Sequence, residues 1–476
     1  MCDDTCWKPC RFRRILKYIF KFSPLNIERA FFLTIMNITD LYQAFKESGK
    51  VSTDSRKIEK GSIFFALKGE NFNGNQYAKV AIEKGASYIV VDELVNDIPL
   101  EKTFKVDNVL SSLQQLAHYH RKTLNIPIIG ITGSNGKTTT KELLAAVLNK
   151  KYNTFFTKGN LNNHIGVPLS LLSITKAHEM AIIEMGANHL GEIADLCEIS
   201  QPNFGLITNI GKAHLEGFGG VKGIIKGKGE LYDFIKNTNG QLFINADSPT
   251  LCQMAKERQL IGITYGQHAQ AHLEGSLESS NPFITFIWNW SFNGEATKSE
   301  KPITSQLFGS YNYDNMLAAV CVGNYFKVNE QDINDALSDY QSEMNRSQIL
   351  EKESNTIYLD AYNANPTSMQ AAIQSFNQLV LKKSKLAIIG DMFELGKDSS
   401  DEHLAILELL KSITLKSVIL IGSNFYAHKL SYPEFHFYES RMDLEKDKTL
   451  LEIEKSAILI KGSRGVALEK LLDHIS

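Results

Sequence analysis

Short apolar runs alternating with amphipathic stretches recur along this chain, and their spacing predicts three α/β regions. In the first, from about residue 36 to 107, Ile63–Leu67 and Tyr88–Val91 read as buried strands. Tyr77–Lys84 reads as a helix ended by Gly85. A helix is expected from about Leu110 to Leu124. Apolar runs then fall at Ile126–Ile131, Met180–Ile183, Phe204–Ile207, Gln241–Ile244 and Ile261–Tyr265, with helical patterns between them. That rhythm predicts a mainly parallel, doubly wound sheet. Phe283–Phe292 alternates aromatic and polar residues and is followed by Asn293-Gly294, so it predicts an antiparallel strand at the sheet edge. Asn315–Tyr325 is helical in pattern. After about residue 340 the rhythm restarts with strands at Ile357–Asp360, Leu386–Ile389, Val418–Ile421 and Ala457–Ile460, a second Rossmann-like layer. The expected divisions are 1–35, 36–107, 108–339 and 340–476.

Composition narrows the class. A chain of 476 residues with 43% hydrophobic and 22% charged residues is globular and exceeds one ordinary core. A net charge of −2 argues against nucleic acid as the main partner. No apolar run approaches the roughly 20 residues of a membrane span. Cys197, Cys252 and Cys321 are scattered, with Cys2, Cys6 and Cys10 at the start; this is no disulfide framework, and a cytoplasmic location fits. Residues 1–35 carry seven Lys or Arg against three acids. Three readings stand for them. The natural start is Met36 and the extension is not native or is poorly ordered; or Phe12, Leu16, Ile19 and Phe20 form the apolar face of a membrane-surface helix; or the three cysteines hold a metal. Lys17, Lys21 and Pro24 break the apolar stretch and so argue against a secretory signal.

The strongest chemical signal is Gly130-Ile131-Thr132-Gly133-Ser134-Asn135-Gly136-Lys137-Thr138-Thr139-Thr140, between a predicted strand and a predicted helix. Backbone N–H groups of such a loop point at phosphate oxygens, and the helix N-terminus adds partial positive charge. Lys137 would reach the β- and γ-phosphates of ATP, and the Thr138 hydroxyl would sit on Mg²⁺. The usual expression puts a glycine where Ile131 stands, so the loop is a variant; the plain alternative is a glycine turn between strand and helix.

Ligands of open parallel sheets bind beyond the carboxyl ends of the strands. Three consecutive elements deliver polar residues there: Lys137 and Thr138, then Glu184, then Asn209 and His214. A glutamate one step past a strand suits Mg²⁺, although it could simply cap a helix. His214 is either a ligand of a second Mg²⁺ or a hydrogen-bonded loop histidine. Lys228, among Lys226-Gly227-Lys228-Gly229-Glu230-Leu231-Tyr232, reads by itself as a solvated charge.

These residues resemble the Mur ligases, the ATP-dependent amide-forming enzymes of peptidoglycan synthesis, and look most like the type that adds D-alanyl-D-alanine. The resemblance runs from about Met36 to the C-terminus. It is carried by Thr53-Asp54-Ser55-Arg56, Phe64–Gly69, Gly130–Glu142, Gly159–Pro168 and Glu184–His189. Ala213–Phe218, Tyr362-Asn363-Ala364-Asn365-Pro366, Gly390–Gly396 and Lys461–Gly465 continue it in order. It implies an N-terminal domain for the uridine nucleotide, a central ATP domain and a C-terminal domain for the incoming amine. It also implies an ADP-forming ligase that joins D-Ala-D-Ala to UDP-MurNAc-tripeptide through an acyl phosphate, with no nucleic-acid partner and as a monomer.

By the same resemblance the ATP site is Gly133, Ser134, Asn135, Gly136, Lys137, Thr138, Thr139, Asn312, Asn315, Arg346 and Asp360. Ser55, Asn71, Asn162, Asn163, Asn363 and Asn365 would contact substrate. Lys137, Glu184, His214 and Lys228 would be catalytic. Two Mg²⁺ would be held by Thr138, Glu184, His214 and Lys228, the lysine carrying CO₂ as a carbamate. The chain departs from the family in having Tyr311 before Asn312, where a histidine is common, and Ala361 after Asp360. A ligase for a single amino acid, a folate-type glutamate ligase and a non-catalytic ATP-binding module are the rival expectations.

Overall fold

The computed structural model describes residues 37–475 apart from 268–269, 343–344, 449 and 451–452. The readings of residues 1–35 and of Cys2, Cys6 and Cys10 lie outside the described residues. The chain forms two compact units, up to His120 and from Arg121 on.

In the first unit a parallel sheet runs in the order Val51–Ser52, Ile63–Phe65, Tyr88–Val91, Thr103–Lys105. Phe64, Ala66, Ala78, Ala81, Ile89 and Val91 form its core. The expected helix is a 3₁₀ turn at Gly74–Tyr77 followed by Ala78–Glu83. It stops where Gly85 takes a φ of 102°, open to glycine because no Cβ opposes it. Ser55 lies in a turn, its carbonyl accepting from Lys84 Nζ at 2.9 Å. Asn71 is exposed in the turn between the short strands Lys68–Gly69 and Phe72–Asn73.

The second unit carries two sheets, each on its own core. The larger runs in the order Thr154–Phe156, Met180–Glu184, Ile128–Thr132, Phe204–Ile207, Gln241–Asn245, Ile263–Gly266, Leu273–Ser280, Phe283–Phe292, Glu295–Lys298. It is parallel as far as Leu273–Ser280 and antiparallel beyond. Asn293 and Gly294 both have positive φ, 50° and 81°, as a two-residue hairpin turn requires. Ile284, Phe286, Trp288 and Trp290 are the buried half of the alternation seen in the sequence. Helices Lys137–Leu148 and Tyr313–Tyr325 pack with Ile129, Ile131, Ile182 and Leu206 in this core.

The smaller sheet has the order Gln348–Lys352, Asn355–Asp360, Ser456–Lys461, Ser384–Gly390, Ser417–Ile421, His436–Tyr438; only the first strand is antiparallel. Its separate core includes Ile357, Ile388, Ile419, Ile458 and Ile460. Helix Pro366–Gln378 opens with proline in its first turn and a capping box between Asn365 and Ser368. The architecture is α/β with parallel sheets in both units, as expected. Among the described residues, no helix is long and apolar enough to cross a membrane.

Candidate active site

A cleft of about 810 Å³ opens at the carboxyl ends of Ile128–Thr132, Met180–Glu184 and Phe204–Ile207, and its far wall comes from the smaller sheet. The glycine loop forms its floor. Gly133 has a φ of 145°, and a Cβ there would lie 2.0 Å from Thr208 Oγ1. Gly136, at φ 76°, would put a Cβ 2.6 Å from Asn315 Oδ1. These close approaches explain the glycines at 133 and 136.

The loop is bound on both sides. Ser134 N donates to Asn209 O at 3.0 Å, and its hydroxyl donates to Gly211 O at 3.0 Å. Asn135 O accepts from Thr208 Oγ1 at 2.6 Å and Asn209 Nδ2 at 3.0 Å. From below, Asn315 Oδ1 accepts from Thr140 Oγ1 at 3.0 Å, and Asn315 Nδ2 donates to Asn312 Oδ1 at 3.0 Å. Asn312 and Asn315 are therefore supports of the loop as well as cleft residues.

Lys137 folds back over the loop, donating to Gly133 O at 2.7 Å and Ser134 O at 3.2 Å. Burial pushes its ammonium pKa down, with Glu184 pulling it back up. Thr138 Oγ1 donates to Glu184 Oε1 at 3.1 Å, and Asn162 Nδ2 donates to the same oxygen at 2.8 Å. Glu184 is the last residue of its strand rather than one step past it, and it is 1% exposed. Its Oε2 is buried without a hydrogen bond. A hard cation takes carboxylate and hydroxyl oxygens, so this pair fits Mg²⁺. Thr139 also lines the cleft. Asn163 lines it too, but its Oδ1 accepts from Ile165 N at 3.1 Å and Gly166 N at 2.8 Å, an anchor for helix Gly166–Leu172.

His214 lines the cleft at a left-handed φ of 54°, its Nδ1 ion-paired with Glu394. Hydrogen bonding to His214 holds the Glu394 carboxyl below its ordinary range. The reading of Lys228 as a solvated charge is overturned: it is 1% exposed on helix Val221–Asn237. Its Nζ donates to Ala187 O at 3.2 Å and lies 5.1 Å from the Phe218 ring centroid. Burial first, and Lys137 next, push its pKa down to about 7. Among the described residues no three His, Cys, Asp or Glu converge as a metal cluster.

The C-terminal wall brings in Arg346, Asp360, Asn363 and Asn365. Arg346 stacks 3.8 Å from the Tyr362 ring centroid, and its buried Nε has no hydrogen bond. Asp360 is ion-paired with Lys461 at 2.6 Å and accepts from Tyr311 OH at 3.4 Å. Tyr311, at the position of the family departure, thus ties the central segment to the C-terminal one. Asn363 Oδ1 accepts from Ala364 N at 2.9 Å. Asn365 Nδ2 donates to Asn135 Oδ1 at 2.6 Å. The cleft therefore gathers every candidate in the second unit except Gly133, which lies under the loop, and Lys228, which lies behind Ala187. Sequence reasoning gave no role to Lys141, Tyr311, Lys461 or Arg464. For Lys141 the available signal was its place one turn after Lys137, followed on the same helix face by Leu144, Ala145 and Leu148.

Comparison with known proteins agrees along most of the chain. The family model described as Mur ligase family, catalytic domain matches residues 49–121. The Mur ligase middle domain matches 131–323, and the Mur ligase, glutamate ligase domain matches 345–464. The UDP-N-acetylmuramoyl-tripeptide–D-alanyl-D-alanine ligase of Bacillus subtilis is 34% identical over 437 residues, covering 89% of this chain and 92% of that protein. The structure of MurF from Acinetobacter baumannii superposes with a TM-score of 0.81 at 29% identity, over 92% of this chain and 98% of that one. MurF from Thermotoga maritima in complex with ADP gives 0.77 at 25% identity, over 90% and 96%.

Proposed function

Because the chain belongs to the Mur ligase family, we propose that it is the ATP-dependent ligase that joins D-alanyl-D-alanine to UDP-N-acetylmuramoyl-tripeptide in peptidoglycan precursor synthesis. The observation that carries the reading is the convergence of Lys137, Thr138 and Glu184 on one cleft whose opposite wall holds Arg346 and the Tyr362–Pro366 segment. Similarity over 89% of this chain to a UDP-N-acetylmuramoyl-tripeptide–D-alanyl-D-alanine ligase supports the choice of amine.

The tripeptide carboxylate attacks the γ-phosphate of ATP, giving an acyl phosphate and ADP. The amine of D-Ala-D-Ala then attacks the carbonyl carbon, and phosphate leaves with the C–O bond electrons. The obstacle is an anion approaching a triphosphate. Lys137 and Arg346 supply positive charge from opposite walls. Thr138 and Glu184 would hold one Mg²⁺, and His214 with carbamylated Lys228 a second, and these would neutralise phosphate charge. A carbamate needs a neutral amine, and the depressed pKa of Lys228 supplies one near neutral pH. Asn312, Asn315 and Asp360 bind the nucleoside, while the loop residues Gly133 to Gly136, with Thr139, cradle its phosphates. Asn162, Asn163, Asn363 and Asn365 contact the peptide substrates. In the first unit, Ser55 and Asn71 take the uridine nucleotide. The domains are 36–107, 108–339 and 340–476, and the enzyme works as a cytoplasmic monomer.

Phosphate release from ATP with UDP-MurNAc-tripeptide tests this, comparing D-Ala-D-Ala with single amino acids. Release that needs the dipeptide, with a pentapeptide product by mass, is expected. Release with a single amino acid would move the chain to another branch, and no release with any amine would overturn the reading.

A further inference from the structure

We infer that Lys141 is a positioning residue for Glu184, holding its carboxylate without a metal and setting how tightly a divalent cation is gripped there. The inference rests on the phosphate-loop reading above. Lys141 is wholly buried, a state lysine rarely tolerates unpaired. Its Nζ lies 3.6 Å from Glu184 Oε2, 3.6 Å from Glu142 Oε1 and 3.5 Å from Gly159 O. Out of reach of water, its charge is balanced by the Glu184 and Glu142 carboxylates.

The two Glu184 oxygens are treated differently. Oε1 is fixed by the Thr138 and Asn162 donors, whereas Oε2 has no hydrogen bond and faces the Lys141 ammonium. A divalent cation on this carboxylate meets a like charge across it, which weakens the grip. Glu142 draws part of the ammonium's field away, and its other oxygen accepts from Tyr340 OH at 2.6 Å. Tyr340 ends helix Glu330–Asp339, where the C-terminal segment begins. The contacts Glu184–Lys141–Glu142–Tyr340 thus run unbroken from the acid to the domain connection.

The test is calorimetric binding of ATP to the full chain at stepped Mg²⁺ concentrations. Lys141→Met and Lys141→Gln should lower the half-saturating Mg²⁺ by about tenfold, and Glu142→Gln should raise it by roughly threefold. A purely structural lysine would lower thermal stability and leave these values within about twofold. That outcome, in whichever variants fold, overturns the inference. Nucleotide binding needs no ligation, so the two readings separate. A wild type that binds ATP with Mg²⁺ but makes no product overturns the proposed function alone. An unmoved Mg²⁺ dependence in an active enzyme overturns the role of Lys141 alone. A wild type that binds no ATP overturns both.

Discussion

Asn135, in the middle of the phosphate loop, is hydrogen-bonded at 2.6 Å to Asn365, the residue that caps helix Pro366–Gln378 on the opposite wall. The same asparagine therefore closes the cleft and starts a helix. Next to it, Lys212 N donates to Thr367 Oγ1 at 3.0 Å, and Lys212 Nζ meets Glu402 at 2.5 Å. Asn365→Asp keeps the oxygen that accepts from Ser368 N but loses the donor to Asn135. Thermal unfolding should be near wild type and kcat should fall by about tenfold. Asn365→Ala should lose the cap as well, costing about 1 kcal/mol.

Lys137 is the cation of the loop floor. Lys137→Ala should reduce phosphate release at saturating substrates by roughly 10²–10³-fold, with the fold intact by circular dichroism. Near-normal release would refute the loop assignment.

Among the described residues Lys228 makes no salt bridge; its amine donates to the Ala187 carbonyl and lies by the Phe218 ring. Lys228→Ala should be almost inactive, and millimolar short carboxylic acids should restore part of the rate by filling the vacated space with an anion. A fully active Lys228→Ala would end the carbamate reading.

His403 is wholly buried, its Nε2 accepting from Met392 N at 3.1 Å and its Nδ1 donating to Ser399 O at 2.7 Å. That ring holds the loop carrying Glu394, the partner of His214. Burial lowers its pKa. Below about pH 6.5 the unfolded chain takes up a proton that the folded ring refuses, so stability falls as pH drops through that window. His403→Gln should show a smaller loss of melting temperature between pH 7.5 and 5.5 than wild type. An equal loss in both would show that His403 does not set the acid limb.

Local pattern made much of this legible. The strands at Ile128, Met180, Phe204, Ile357 and Ile458 are buried on both faces and read as plain apolar runs. The edge strand Gln348–Lys352 and the internal strand Leu273–Ser280 are partly solvated and rich in polar residues, so nothing distinguishes them from loops. Glu184 and His214 were visible because strand ends point at the ligand crevice. Lys228 was visible only through the family resemblance, since it sits among Lys222 and Lys226 and is buried by the packing of its helix near Phe218 and Ala187. Lys141 was hidden: its anion, Glu184, is 43 residues away in sequence and adjacent only through the pairing of Ile128–Thr132 with Met180–Glu184.

The two walls of the cleft rest on separate cores, and what joins them is uneven. At one side, Phe308 of the central segment packs edge-on against Tyr358 of the C-terminal one, ring centroids 4.9 Å apart, and Tyr358 continues to Phe376. At the other, the joints are the amide, hydroxyl and carboxylate pairs around Asn135, Lys212 and His214. Water can replace each polar joint one for one, but not the aromatic one. The molecule is therefore built like a purse with a stiff seam and a wet clasp. Parting the clasp exchanges each polar pair for water, while the seam keeps its rings packed and so acts as the hinge side.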